Sequence, residues 1–422
     1  MRPAPDADRK VGIDWYATGG EPCAARAKSS AEDFVVSEDA EISGLVTEES
    51  PGYYPLYRVE KHSIDTLHMA EELSAALRSR VSYGGLKDKR ARAVQFVTPT
   101  SLRSERPLQV SRERFTADLV GYVPKPISRA AVAGNRFEVT LRGCCPSISD
   151  RIGEAMRLGE TRGLPNFYGL QRFGASGAGT HRIGKALVKR DFEGAIRLLL
   201  SPDRSSDDGR TDEAGEAVAA GNYEACARLL PPGKDVERRA AKELGRHPGE
   251  WVKGLRAVPV RLRRLYVQAY QSLLFNRTIS VAMGRGEDLG TPRQGDNWAE
   301  LSTDGLVTSR VRGVREPLAG DAVPMVQVAG YAFRDYGSRF DACLKEVLAS
   351  EGIAPKEFFV EEMQEVSSEG GFRRPHLAIR EPDWEAEGGV ARLRFTLGRG
   401  QYATVLLREV IKPDDPGAAG LA

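Results

Sequence analysis

Residues 135–142 alternate without a break. Phe137, Val139 and Leu141 fall on one parity, and Arg136, Glu138, Thr140 and Arg142 on the other. Successive side chains of a β-strand point to opposite faces, so this pattern demands a strand with one apolar and one charged face. A second alternation near the end makes the same demand: Ala391, Leu393, Phe395 and Leu397 against Arg392, Arg394 and Thr396. The arginine-bearing face of the first strand suits a contact with RNA and suits a solvated surface equally well.

Helical and extended runs surround these two strands. Residues 34–36 and 56–60 read as strands, and the region 306–328 looks β-rich. Asp65 can cap a helix carrying Leu67, Ala70, Leu73, Ala76 and Leu77 at helical spacing and ending near Arg80. Further helices are expected at 149–159, through about 253 as short pieces, at 263–281 and at 403–411. Residues 1–22 are rich in Pro, Gly and Ala and read as loose. The polar stretch 201–216 reads as mobile, 284–297 as a loop, 380–389 as an acidic loop, and the tail after Pro413 as disordered. No internal repeat is visible.

With 422 residues the chain has room for two or three domains and an ample core. Its net charge of +2 is close to neutral, so affinity for nucleic acid would have to come from local patches. The five cysteines form no C-x-x-C pair and the five histidines are scattered, which suggests neither a disulfide framework nor a metal site. The opening residues have no apolar core of a secretory signal, and no apolar run is long enough to span a membrane, so a cytoplasmic protein is expected.

Chemistry concentrates at residues 83–97. Asp88 stands among Lys87, Lys89, Arg90 and Arg92, after Gly84-Gly85 and before an apolar run at 94–97. This predicts a tight loop entering a strand. Neighbouring cations favour the ionised carboxylate, which would lower its pKa and keep it available as a nucleophile. The same cations attract a polyanion. Taken alone, a charged run beside Gly-Gly is more often a solvated turn. The run from Gly179 to Ala186 nearly spells a phosphate-binding loop. However, Ala186 follows Lys185 where a Ser or Thr would hold Mg²⁺, so nucleotide triphosphate binding is rejected.

Several stretches together resemble the TruD-type family of tRNA pseudouridine synthases, most closely its archaeal members. They are Glu32-Asp33-Phe34-Val35-Val36, Gly85-Leu86-Lys87-Asp88-Lys89 with Gln95, Asn135-Arg136-Phe137, and Pro165-Asn166-Phe167-Tyr168-Gly169-Leu170-Gln171-Arg172-Phe173-Gly174. Gln271-Ser272-Leu273-Leu274-Phe275-Asn276 and the closing Tyr402-Ala403-Thr404-Val405-Leu406-Leu407-Arg408-Glu409 add to them. The likeness runs through most of the chain in the family's order.

The resemblance implies an α+β fold. A catalytic domain with a mixed, mainly antiparallel sheet flanked by helices would come from residues 1–160 and 383–422, and an α/β insertion domain from 161–382. It implies an isomerase that converts uridine to pseudouridine, at position 13 of tRNA, with no cofactor, no metal and no nucleotide. Asp88 would be the nucleophile, adding to C6 of the base or acting at C1′ of the ribose. Lys28 would be its ion-pair partner. Phe137, Phe34 and Tyr402 would offer stacking faces to a flipped base, and Asn135 an amide to its edge. Lys87, Lys89, Arg90, Arg92, Arg136, Arg142, Asn166 and Arg172 are the candidate RNA contacts. Arg182, Lys185, Lys189 and Arg190 are further phosphate candidates. The competing reading is a non-catalytic RNA-binding or RNA-folding protein on the same scaffold. Asp88 argues against it, because a carboxylate within a phosphate-attracting cluster opposes binding.

Overall fold

A nine-stranded sheet carries the candidate site. The computed structural model describes residues 1–422 except 41, 90, 175–178, 202–208, 302–310, 314–321 and 422. The strands of the sheet are β1 (Phe34–Ala40), β2 (Tyr54–Lys61), β3 (Val81–Tyr83), β4 (Arg92–Pro99), β5 (Gln109–Arg112), β6 (Phe115–Val123), β7 (Val132–Arg142), β8 (Ile379–Glu387) and β9 (Val390–Gly398). Their order is β8-β9-β7-β1-β4-β2-β6-β5, with β3 also on β4. Only β1 and β4 run parallel; the other pairs are antiparallel. The fold is therefore α+β with a mixed, mainly antiparallel sheet. Strands from the two ends of the chain lie side by side at its centre, where Phe137 of β7 faces Phe395 of β9 and Val36 of β1.

The alternation that predicts β7 and β9 reports their burial. Phe137, Val139, Leu141, Leu393, Phe395 and Leu397 are buried, while Arg136, Glu138, Arg142, Arg392 and Arg394 are exposed. Helix α1 (Thr66–Ala76) packs over β2, capped by the Asp65 carboxylate, which accepts from the N–H groups of Leu67 and His68. Its inner face is Met69, Ala70, Leu73 and, just past its end, Leu77, so most of the expected stripe is buried, while Leu67 is left 47% exposed and Met69 takes its place. Helix α2 (Ile148–Glu160) packs on β8, and α7 (Ala403–Ile411), from the end of the chain, packs on α2.

The middle of the chain is mostly helical. Here α3 (Thr180–Val188) and α6 (Arg339–Ser350) pack against the long α5 (Val260–Gly284), and α4 (Phe192–Leu200) packs on α3. Between α4 and α5 come shorter helices at Gly209–Ala219, Tyr223–Leu229, Asp235–Arg246 and Trp251–Arg256. Small strands occur at Asn297–Glu300, Arg312–Gly313, Ala322–Pro324 and Val326–Val328. Among the described residues no helix is long and apolar enough to cross a membrane.

Four stretches differ from expectation. Residues 380–389, expected as an acidic loop, form edge strand β8. Its acids occupy every second position and pair with arginines beside them: Glu381 with Arg136 at 3.1 Å, Asp383 with Arg394 at 3.0 Å, Glu385 with Arg392 at 3.0 Å. Charges on an edge strand also discourage pairing with another chain. The opening residues are not loose. Residues Arg2–Pro3 pair with Trp15–Tyr16, Val11 and Ile13 are buried, and Asp8 is buried against Arg408 of α7. The tail after Pro413 is packed, with Ala419 and Leu421 buried. Within 201–216, residues 202–208 lie outside the described residues and the remainder enters the helix Gly209–Ala219. Much of the expected β-rich region 306–328 also lies outside the described residues.

Candidate active site

The site sits where the sheet splits. β1 pairs with β4 at residues 92–94, and β3 takes over the same edge at 97–99. The chain between β3 and β4 loops out over this gap and carries Asp88. The Glu38 side chain fills the gap. Its carboxylate accepts from the Phe96 N–H at 2.9 Å and from the Lys87 ammonium at 2.7 Å. The Glu38 side chain is inaccessible and that of Lys87 nearly so, and Lys87 spends its charge on anchoring the loop rather than on phosphate.

Two further groups hold the loop backbone. The Thr66 hydroxyl accepts from the Lys87 N–H at 2.9 Å and donates to the Gln95 side-chain oxygen at 3.1 Å. Lys61, fully buried, donates to the carbonyls of Asp88 at 3.0 Å, Lys87 at 3.4 Å and Ile64 at 2.7 Å. Burial pushes the Lys61 ammonium down to about 8; the charges of Asp88 and Asp65 oppose that shift and Lys87 adds to it. Sequence reasoning missed Glu38 and Lys61. The available signal was a charge on the inward parity of a strand, after Phe34 and Val36 in one case and after Tyr57 and Val59 in the other.

The ring of cations expected around Asp88 is rearranged. Lys87 turns inward to Glu38, and Arg92 pairs with Glu60 at 2.5 Å. Arg90 lies outside the described residues, and Lys89 is exposed without an ion pair among them. The partner of Asp88 is Lys28, with Nζ 3.1 Å from Oδ2. The Asp88 side chain stays 48% exposed, while that of Lys28 is only 8% exposed. Lys28 lies over the Phe34 ring, with Nζ 4.6 Å from the centroid. Its backbone is left-handed, φ 55°, which a side chain with a Cβ adopts at a cost of roughly 1–2 kcal/mol.

Asp88 opens onto a cavity of about 180 Å³ lined by Phe34, Phe137, Asn135, Leu86, Tyr402 and Gln401, among others. That is room for about six waters by liquid volume, enough for a planar heterocycle. Phe137 forms its floor, stacked on Phe395 with centroids 5.4 Å apart and met edge-on by Phe34 at 5.9 Å. The Asn135 amide oxygen is buried without a hydrogen-bond partner among the described residues, which leaves an acceptor on the wall. Tyr402 stands at the start of α7 on the other side, and burial raises its phenol above the usual value, keeping it protonated. Loop, stacking faces and amide therefore converge from both ends of the chain.

The remaining candidates divide. Arg142 grips the buried Asp33 carboxylate through Nε and Nη2 (2.7 Å for the shortest contact) and holds it below the usual range, so its charge is used inside the protein. Asn166 is buried and structural: its amide donates to the Arg374 carbonyl and its side-chain oxygen accepts from Arg373 at 2.7 Å. Arg172 meets Gln268, Ser272 and the face of the Tyr168 ring, with no carboxylate reaching it among the described residues, and remains available to an anion. Lys185 pairs with Glu351 at 2.6 Å, and Arg190 with Glu361 and Glu362. Among the described residues no cluster of His, Cys, Asp or Glu is arranged to hold a metal.

The profile of the tRNA pseudouridine synthase D (TruD) family matches residues 10–410. The chain belongs to the TruD family. A "Probable tRNA pseudouridine synthase D" of Pyrobaculum neutrophilum is 33% identical over 432 residues, covering 99% of both chains. The tRNA pseudouridine synthase D of Geobacter metallireducens is 29% identical, covering 95% of this chain and 98% of its own. A crystal structure assigned to TruD of Methanosarcina mazei superposes with a TM-score of 0.79 at 26% identity, covering 98% and 99% of the two chains. The TruD likeness thus spans the sheet, the helical middle and the packed chain ends.

Proposed function

We propose that this protein is a cytoplasmic tRNA pseudouridine synthase in which Asp88 is the nucleophile, acting on the uridine at position 13 after that base has left its stack. The observation that carries the reading is the Asp88 carboxylate, accessible and held by Lys28 at the mouth of a cavity with an aromatic floor and an unpaired amide oxygen. Family membership supports an isomerase acting on tRNA.

The reaction breaks the N1–C1′ bond, joins C5 to C1′, removes the proton from C5 and places one on N1. Nothing is gained or lost, so the site needs a nucleophile, a holder for the detached ring and exclusion of water. On our reading Asp88 supplies the first. Phe137 and Tyr402 supply the second, because a stacking face constrains a ring's plane while letting it turn within that plane. The Asn135 amide oxygen accepts from the uracil N3–H. On this reading residues 1–160 and 383–422 form the catalytic domain and 161–382 the insertion, in which Arg172 stands ready for the RNA backbone.

The test is Asp88→Asn, assayed on unmodified tRNA by chemical mapping of pseudouridine. The isostere keeps the loop shape, so we expect tRNA binding to persist while product formation falls by at least about 10³-fold. Pseudouridine made at the wild-type rate by the variant would refute Asp88. Product at another position would refute position 13 alone. A wild-type protein that binds tRNA but forms no product would turn the assignment to the non-catalytic reading.

A further inference from the structure

The strained Lys28 is held from both sides. Arg26 exchanges backbone hydrogen bonds with Arg142 of β7, at 2.8 and 3.0 Å. The next residue, Ala27, donates its N–H to the Ala419 carbonyl at 3.0 Å. Residues 413–421 form a compact hook. The Asp415 carboxylate accepts from the N–H groups of Gly417 at 2.8 Å and Ala418 at 3.1 Å, and its carbonyl accepts from Ala419 at 3.1 Å. The Leu421 N–H closes the hook on the Pro416 carbonyl at 2.9 Å, and its side chain is buried. Gly420 is left-handed, φ 77°; a Cβ there would run into the Ala27 carbonyl oxygen and lie 3.6 Å from the Lys28 Cβ. Pro416 and Leu421 also share a small cavity with Gly169 and Leu170 of the Asn166–Gly174 motif and with Thr404.

A left-handed lysine persists only where its surroundings over-determine it. We infer that residues 413–421 are a positioning strap: by seating Gly420 and Ala419 against Ala27 they fix the backbone of Lys28 and aim its ammonium at Asp88. This rests on the reading of Lys28 and Asp88 as a working pair. The strap touches no substrate atom; it acts through Lys28.

The experiment compares Gly420→Val, Lys28→Met and the exposed control Ala418→Ser in the full chain on unmodified tRNA, with amide hydrogen exchange of the segment containing Ala27. For Gly420→Val the expected result is a kcat about tenfold lower, an unchanged KM for tRNA, a melting temperature lowered only by the loss of the hook's packing and faster exchange at the Ala27 amide. Ala418→Ser should behave as wild type. Lys28→Met impaired beside a fully active Gly420→Val would overturn the strap alone. A fully active Lys28→Met would overturn the ion-pair reading and the strap with it. If Gly420→Val does not fold, Leu421→Asp, which expels the end of the hook, answers the same question. Faster Ala27 exchange with wild-type kcat in that variant would overturn the strap.

Discussion

At the scale of single residues, the site depends on placing charges where strands ordinarily bury hydrocarbon. Lys61 has three carbonyls as partners and no carboxylate, so its ammonium is solvated by the backbone of the loop it holds. Removing it frees the Asp88 backbone, and misplacement by about 1 Å costs on the order of 10²-fold in rate. Lys61→Met should therefore lower kcat by about 10- to 100-fold with little change in tRNA affinity, measured by steady-state kinetics beside a binding assay. Its pH dependence has two opposite signs. Activity needs the ammonium, so kcat should decline as pH rises through about 8. Stability moves the other way: the folded pKa lies below the ordinary 10.5, so between about 8 and 10.5 the unfolded chain binds the extra proton and raising pH favours the fold. Lys61→Met should lose both effects. Motif likeness alone singles out Asp88, Asn135 and Phe137, which the fold brings to one cavity. It does not single out Lys61 and Glu38, because their meaning comes from a split in the sheet that joins strands distant in sequence.

At the scale of elements, the pattern that resembled a phosphate-binding loop has a packing explanation. Gly184 lies where α3 crosses α5, and a Cβ there would drive into the Tyr266 carbonyl and lie 3.0 Å from the Tyr270 Cβ. The glycine lets two backbones approach, and Lys185 beside it reaches across to Glu351 of the segment following α6. Gly184→Ala should destabilise the protein by about 1–3 kcal/mol through overpacking. The urea midpoint should fall, while kcat per folded molecule stays at the wild-type value. A loss of kcat without a change in midpoint would instead give α3 a direct role. Elements with a clean period were legible: β7, β9, α5 and α7 fall close to where alternation or helical spacing puts them. β8 was not, because Pro382 and four acids read as a loop until their arginine partners on β7 and β9 are alongside.

At the scale of the whole molecule, the chain ends are poorly legible in the sequence and yet closely packed. Composition made residues 1–22 read as loose and the tail after Pro413 as disordered. Yet Asp8 meets Arg408, Glu409 accepts from the N–H groups of Ala17 and Thr18, and Ala419 receives Ala27, contacts spanning nearly the full chain length. Long-range contacts of this kind leave no local signature. The middle of the chain hides a second such device in its histidines. His376 is buried between the Leu289 carbonyl, 3.1 Å from Nδ1, and the Arg374 guanidinium, 2.9 Å from Nε2. These neighbours require Nδ1 to donate and Nε2 to accept, so the ring is neutral. Burial and the Arg374 charge push its pKa down to about 3, and burial with Arg182 pushes that of His181 down to about 4. Below the ordinary value of 6.5 the unfolded chain binds protons that the folded chain refuses. Stability contributed by both rings is thus complete above that pH and is lost as pH falls, by up to about 1.4 kcal/mol per unit for each. His376→Gln supplies the same donor and acceptor without a titrating proton. Unfolding midpoints between pH 7 and pH 4 should therefore fall less steeply for the variant, by about one histidine's share. Parallel pH profiles for variant and wild type would show that His376 accepts its proton in the folded protein after all.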